Sequence, residues 1–447
     1  MQFVVLIMMP LKIVFKGHLN RPTIKVLTCA YVVLLASLAG AQEVNLADIS
    51  RGAYLAKAGD CVACHTAGPQ SPRFAGGLPI NSPFGIIYST NITPDPDTGI
   101  GRYTLDDFSR AVRNGIAKDG KRLYPAMPYA SFTAITDDDI RALYAYFMKE
   151  VRPVSYKPPE TKLPFPFNIR LSLIFWDALF AKDERFKPNT ERDAQWNRGA
   201  YLVQSLGHCG ACHTPRGLAF QEKAYTESSP MYLSGALVDN WYASNLRGDS
   251  ASGLGRWSEA DIVDFLKTGY GGQIAAFGSM IEVIQNSTQY LHKDDLNAIA
   301  HYLKSLPAHG ERSSYNPGAS AATLTLSALV TGELELPGAG LYESFCAKCH
   351  KITGDGKPGK YPKLGGNSIV LSDNPTSLIR LLLEGSKTAQ TSMGPKPQEM
   401  ASFAKKFSDR QIAEVLSFIR TSWGNEAPPV TTRQVSSLRT ALQKKQQ

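Results

Sequence analysis

The sequence predicts an all-α protein of three small helical domains in tandem behind an N-terminal export segment. First, Arg51-Gly52-Ala53-Tyr54-Leu55 recurs as Arg198-Gly199-Ala200-Tyr201-Leu202, and each phrase runs into a Cys-x-x-Cys-His sequence. A looser third copy, Gly340-Leu341-Tyr342, runs into Cys346-Ala347-Lys348-Cys349-His350. Self-similarity of this kind marks repeated structural units. Second, each copy ends in a stretch with apolar residues three and four apart, the signature of a helix with one buried face. Third, segments rich in Pro or in Ser, Ala and Gly stand between the copies. At 447 residues the chain is too long for one compact core.

The first 41 residues read as a signal peptide. Lys12, Lys16, Arg21 and Lys25 precede an apolar stretch from Val26 to Gly40 that ends in Ala39-Gly40-Ala41. A basic region, a short apolar region and small residues at an A-x-A site are what export requires. The apolar stretch is about 15 residues, short of the ~20 that span a bilayer. An uncleaved anchor is the alternative reading, and Cys29 is a passenger of the apolar region.

The first domain is expected over 42–152. Gly99-Ile100-Gly101-Arg102-Tyr103-Thr104 introduces a helix bearing Phe108 and Val112, with Thr104 as its N-cap. A closing helix begins at Thr136, carries Asp137, Asp138 and Asp139 in its first turn, and buries Ile140, Leu143 and Phe147. Acidic residues at that end suit the helix dipole. A linker over 153–194 follows, stiffened by Pro153, Pro158, Pro159, Pro164 and Pro166. It contains an apolar helix over Leu171 to Phe180, which either packs between the first two domains or touches lipid or a partner.

The second domain, 195–306, repeats the plan: Gly253-Leu254-Gly255-Arg256-Trp257-Ser258 opens one helix, and Lys293 begins the closing one. A flexible linker is expected over 307–332 and the third domain over 333–426, its closing helix starting at Ser408-Asp409. The basic tail, 427–447, has Val435, Leu438 and Leu442 at helical spacing and reads as an amphipathic membrane-surface helix or a frayed terminus.

The formal charge of +9 does not indicate a nucleic-acid partner. The four cations of the export segment leave +5 for the remainder, and the basic residues are scattered.

Six of the seven cysteines form the pairs Cys61/Cys64, Cys209/Cys212 and Cys346/Cys349, each followed at once by His65, His213 or His350. A CxxC pair alone could be a disulfide, a redox motif or half a zinc site. Zinc needs a second ligand pair nearby, and none lies within about 130 residues of any of these. Cys-x-x-Cys-His is the attachment signature of c-type haem: the cysteines form thioethers with the vinyl groups and the histidine ligates iron. Three such sequences in an exported chain predict three covalent haems.

The sixth iron ligand of a c-type haem is commonly methionine. Met127 lies between Ala126 and Pro128 just before the first closing helix, and Met280 occupies the matching slot of the second copy. Met393 and Met400 compete in the third, where Met400 matches the placement of the other two. A lone methionine usually fills a core gap, the role expected of Met148. Tyr54, Tyr201 and Trp257 are expected to pack against haem. Irons ligated on both sides pass electrons and leave no distal site for substrate. The sequence shows no dinucleotide fingerprint, nucleophile elbow or metal-binding His cluster.

At AGDCVACHT, YSTNITPD, YPAMPY, LGHCGACHTPRG and IRTSWGN the chain resembles the three-haem cytochrome c subunit of membrane-bound bacterial dehydrogenases for alcohols, gluconate and related sugars. The resemblance covers nearly everything after residue 45. It implies cytochrome c-like domains and the axial pairs His65/Met127, His213/Met280 and His350/Met400. It also implies a catalytic partner subunit holding pyrroloquinoline quinone or FAD, and a small third subunit in some complexes. Electrons would pass to ubiquinone on the periplasmic side of the inner membrane, with the chain itself not catalytic. At the third site the family has Met-Pro where this chain has Met400-Ala401. Two other readings stand beside this one: a peroxidase-like haem enzyme with one open iron, and a free periplasmic shuttle to a terminal oxidase.

Overall fold

The computed structural model describes residues 46–447 except 273, 311, 319–326, 328, 332–335 and 447. The expected signal peptide and Cys29 therefore lie outside the described residues. Around the first CxxCH are α1 (Leu46–Ala58), α2 (Cys61–Cys64), α3 (Leu105–Asn114), α4 (Tyr129–Phe132) and α5 (Asp137–Lys149), with β1 (Pro79–Ser82) paired to β2 (Gly85–Tyr88). The connector holds α6 (Ser172–Phe180). The second CxxCH has α7 (Ala194–Gln204), α8 (Gly210–His213), α9 (Glu259–Thr268), α10 (Met280–Asn286) and α11 (Lys293–Lys304). Its small ladders pair β3 (Ala236–Val238) with β4 (Trp241–Ala243), and β5 (Tyr270–Gly271) with β6 (Ile274–Ala275).

Beyond β7 (Ser314–Tyr315), the third CxxCH has α12 (Ala339–Phe345), α13 (Ala347–His350), α14 (Thr376–Glu384), α15 (Asp409–Thr421) and α16 (Thr432–Gln446). There β8 (Ser386–Lys387) pairs with β9 (Glu399–Met400), and β10 (Asn425–Glu426) pairs back to β7. Among the described residues every ladder is a two-stranded antiparallel one, so strands there trim a helical structure without forming a sheet layer.

The helix starts follow from local chemistry. Thr104 caps α3 and Ser258 caps α9, each in a capping box with the aspartate three residues on. Ser408 does the same for α15 with Gln411. Thr136 accepts from the Asp139 amide to start α5. Gly115 and Gly269 end α3 and α9 in the left-handed conformation that glycine adopts without strain.

In each copy the helix before the CxxCH crosses the closing helix at a glycine. A Cβ on Gly52 would stand 1.9 Å from the Ala142 carbonyl oxygen, and one on Gly199 would stand 2.0 Å from that of Ala298. Gly338, which caps α12, meets the Glu414 carbonyl at 2.3 Å in the same way. All three carbonyls belong to the sixth residue of their closing helix, though Gly52 and Gly199 lie within their helices and Gly338 is the left-handed residue that precedes its own.

The first two copies share one apolar cluster, running from Leu55 in α1 to Leu306 after α11. A reciprocal polar seam joins them. Tyr54 donates to Asp295 of the second copy at 2.5 Å, and Tyr201 donates to Asp139 of the first at 2.5 Å. Arg51 pairs with Asp139, and Arg198 with Asp295, each within its own copy. The Tyr54 and Tyr201 hydroxyls are thus committed to this seam. The third copy, with Gln411 at the equivalent position, builds a separate cluster between Leu329 and Leu442.

Two expectations about the connecting segments change. The tail is a helix whose Val435, Leu438 and Leu442 are buried against the third cluster, while Arg439 donates to Asp409 at 2.7 Å and to the Ala404 carbonyl at 2.8 Å. Its apolar stripe is already occupied, so it is neither a free membrane helix nor a frayed end. Within the second linker, Ser314 and Tyr315 are held by pairing with Glu426 and Asn425. Among the described residues no helix is long and apolar enough to cross a membrane.

Candidate haem-attachment sites

Each CxxCH forms a single helical turn closed by the histidine amide, which donates to the carbonyl of the first cysteine: His65 to Cys61 at 3.0 Å, His213 to Cys209 and His350 to Cys346 at 2.9 Å. All six cysteines are free thiols, none joined in a disulfide.

The imidazoles share a second arrangement. Nδ1 of His65 lies 2.7 Å from the Thr90 carbonyl, that of His213 lies 2.6 Å from Ser244, and that of His350 lies 2.9 Å from Pro362. A carbonyl only accepts, so Nδ1 must carry the proton, and Nε2 keeps its lone pair for a metal. Burial lowers the pKa of all three rings, against the opposing pull of these carbonyls, and so favours the neutral ligating form.

A glycine supports each arrangement. The amides of Gly76, Gly235 and Gly356 donate to the carbonyls of His65, His213 and His350 at 2.8, 2.8 and 2.9 Å. All three have positive φ, 74°, 93° and 60°. A Cβ on Gly76 would meet the Thr90 carbonyl oxygen at 2.4 Å, and one on Gly356 would meet that of Pro362 at 2.5 Å. Those are the same oxygens that accept from the histidines, so only glycine lets them approach.

Turns with asparagine at their first position shape two of the acceptor loops. Asn91 accepts from the Thr93 amide at 2.9 Å, directly after Thr90, and Asn245 accepts from the Arg247 amide at 2.8 Å, directly after Ser244. Asn367 repeats the turn in the third copy, though its histidine uses Pro362. Sequence reasoning missed these carbonyls and glycines. The Asn that directly follows the acceptor residue in the first two copies was the available signal.

Met127 and Met280 are half-buried against the cluster that also packs Cys61 and Cys209. Met400 is half-buried against the cluster that packs Cys346, whereas Met393 is 70% exposed. The backbone around them differs: a turn at Met127, whose amide donates to Tyr124, the first residue of α10 at Met280, and β9 at Met400. α10 packs against the α2 turn of the first CxxCH. On another side it meets the third copy, where Ala389 joins Ala276 and Ile284 in a small apolar cluster touching Met280.

Two buried acids adjoin the motifs. Burial pushes the Asp60 carboxyl up to about 8, with Glu282 adding to the rise. Burial likewise pushes Glu222 up to about 7 against the pull of Arg216, and Glu222 lies close over Gly210 of the second CxxCH. Near neutral pH Asp60 is therefore mostly uncharged, while Glu222 sits close to its midpoint. Of the other histidines, His208 sits edge-on to Phe132, His292 stacks on Tyr54 at 4.2 Å, and His301 binds Glu259 and Asp193.

The Cytochrome c family model matches residues 49–149 and 336–423. The chain is 46% identical over 427 residues to the cytochrome c subunit of alcohol dehydrogenase (quinone) from Gluconacetobacter polyoxogenes, covering 94% of this chain and 90% of that protein. The chain belongs to the family of dehydrogenase cytochrome c subunits. Two further members have other donors in their names. The gluconate 2-dehydrogenase cytochrome c subunit of Pantoea cypripedii is 46% identical over 406 residues, with 89% and 90% of the two chains covered. The fructose dehydrogenase cytochrome subunit of Gluconobacter japonicus is 41% identical over 412 residues, with 88% and 82% covered. Membership of this family implies covalent haem c, and the free thiol pairs beside neutral, oriented imidazoles fit it.

Proposed function

We propose that this chain relays electrons from a catalytic dehydrogenase subunit, through three covalently bound c-type haems, to ubiquinone at the periplasmic face of the inner membrane. The observation that carries the reading is the threefold repetition of one ligand arrangement: CxxCH turn, Nδ1–H to a backbone carbonyl, and a positive-φ glycine whose amide donates to the carbonyl of the histidine. When bound, each haem supplies a one-electron couple. The protein holds the proximal imidazole in one tautomer, with Nδ1–H on a backbone carbonyl and Nε2 free to ligate iron.

The axial pairs are His65/Met127, His213/Met280 and His350/Met400, with the half-buried positions of the three methionines in support. Met400 is preferred to Met393, which is turned to solvent. The chain is read as three cytochrome c-like domains over 42–152, 195–306 and 333–426, behind a signal peptide. The packing of α10 against both the first CxxCH turn and the third copy supports the second haem as the intermediate. The partner is read as a pyrroloquinoline quinone- or FAD-containing subunit, with a small third subunit as an option. The donor is an alcohol, gluconate or a related sugar, in keeping with the relatives' names.

The test has two parts. Intact mass of protein made in a host that matures c-type cytochromes should exceed the polypeptide by three haems. Rapid mixing with the reduced dehydrogenase subunit should then reduce all three, with reoxidation by a ubiquinone analogue. A mass gain of two haems, or persistent oxidation of the haems in the presence of the reduced partner, would refute the reading.

A further inference from the structure

The sixth-ligand candidates of the first two copies stand in segments of opposite stiffness. Met127 is flanked by Pro125 and Pro128, which fix φ on either side of it, and its amide donates to the Tyr124 carbonyl at 3.2 Å. Met280 follows Phe277-Gly278-Ser279, with no proline in the segment, and Gly278 takes the left-handed φ of 57°. A permissive glycine beside an unbranched thioether does not fix a sulfur in place. In the second copy the fixing must come from outside the segment.

It comes from the third copy. Arg380 of α14 is buried, and its guanidinium lies 4.3 Å from the centre of the Trp241 ring in β4. It also donates to the Asp239 carbonyl at 2.7 Å and to the Glu384 carboxylate at 2.6 Å, which leaves the planar group one orientation. Ser377, one turn earlier on α14, accepts from the Tyr242 amide at 2.9 Å and donates to the Tyr242 carbonyl at 3.0 Å. So α14 grips the β3–β4 hairpin at its turn and along β4.

The ring held in this way meets the ligand segment. Trp241 lies 5.6 Å from the Phe277 ring, and a Cβ on Gly278 would stand 2.9 Å from two of the indole carbons. Gly278 is thus seated against the indole two residues before Met280. The first copy has no such prop: Ile87 holds the matching place, three residues before the carbonyl that accepts from the haem histidine. A second contact from the third copy reinforces the hold, with Ala389 packed beside Met280 and the Gln390 amide donating to Gln285 of α10 at 2.8 Å.

We propose that Arg380 is a positioning residue for the second haem: it fixes the Trp241 ring, the ring fixes Gly278, and Gly278 sets the Met280 sulfur toward the iron. An intact third copy is then a condition for sulfur ligation in the second. This rests on Met280 as the sixth ligand, the reading given above.

The test uses full-length holoprotein of wild-type haem content and reads the sulfur-to-iron charge-transfer band of the ferric form together with imidazole binding. Met280→Leu defines the second haem's share of that band. Arg380→Ala should lose most of that share, lower one haem potential and bind imidazole at one iron severalfold more tightly than wild type. Trp241→Leu should do the same, and it carries the test if Arg380→Ala does not fold. The combined Arg380→Ala, Trp241→Leu variant should go no further than either alone, because both break one path. Arg439→Ala, which loosens the tail within the third copy, should leave the second haem's share in place. A full band in Arg380→Ala and Trp241→Leu, with Met280→Leu depleted, would overturn this inference alone. A lowered potential with the band intact would make Arg380 a source of charge only, and loss of the share in Arg439→Ala would make the effect one of general stability; either refutes the proposal. A full band in Met280→Leu would remove the ligand reading and this inference with it.

Discussion

Replacing Gly76 with alanine tests the support behind the first haem histidine. Gly76 has φ 74°, and a Cβ there would stand 2.4 Å from both the carbon and the oxygen of the Thr90 carbonyl and 2.7 Å from the Ser89 oxygen. All three contacts are backbone, so no side chain can swing aside. A left-handed non-glycine residue costs about 1–2 kcal/mol, and overpacking of this kind adds about 1–3 kcal/mol, for an expected loss of about 2–5 kcal/mol. The strain falls on the oxygen that accepts from His65 Nδ1 at 2.7 Å. Moving it weakens the polarisation that makes the imidazole a strong donor to ferric iron. The potential of one haem should therefore rise while the other two stay in place.

Gly120→Ala is the matched control. Gly120 also has positive φ, 80°, but a Cβ there meets nothing within 4 Å. It should cost only the conformational part, about 1–2 kcal/mol, and move no potential. Spectroelectrochemical titration and thermal unfolding followed at the Soret band measure both quantities. If Gly76→Ala matched Gly120→Ala in stability and in all three potentials, the argument that glycine holds the carbonyl against the histidine would be wrong.

Four further outcomes are expected. Gly199→Ala, whose Cβ would be 2.0 Å from the Ala298 carbonyl oxygen, should force α7 from α11 and cost at least about 3 kcal/mol in denaturant unfolding. Burial would raise the Asp295 carboxyl, but Arg198 and Tyr54 draw it below the usual carboxylate range. Its stabilisation is thus complete above about pH 4 and lost as pH falls through the lower folded value. Asp295→Asn should flatten that acid limb of the stability profile and destabilise the protein at neutral pH. Met400→Leu should lower one haem potential and admit exogenous ligands at one iron, with Met393→Leu unchanged in both assays. Arg420 is fully buried and donates to the carbonyls of Val370, Ser372 and Pro428 at 2.6, 2.8 and 2.7 Å. Arg420→Leu would strand three buried acceptors at about 1–3 kcal/mol each and should unfold the third copy first on heating.

Much of the site was legible from sequence because its chemistry is local. Two cysteines and a histidine within five residues make one turn that can meet a haem whatever surrounds it. Thr104, Thr136, Ser258 and Ser408 announce helix starts because each cap reaches an amide only three residues ahead. The preference for Met400 over Met393 rests on distance from the closing helix, which is countable in sequence; the 70% exposure of Met393 is not.

The sequence by itself therefore determined the attachment turns, the candidate ligands, the repeat and the helices that bracket each copy. Tertiary structure alone decided what reaches across them. The acceptors for the three histidines are backbone carbonyls, which every residue carries and no motif records. Tyr54 finds Asp295 across 241 positions, and Tyr201 finds Asp139, because two similar helix pairs pack face to face. The apolar stripes of α6 and of the tail look alike in sequence, yet the tail is buried against its neighbours and α6 is bare on one side. A side-chain pattern states that a helix has an apolar face. Only the packed chain shows whether another part of the protein already covers it.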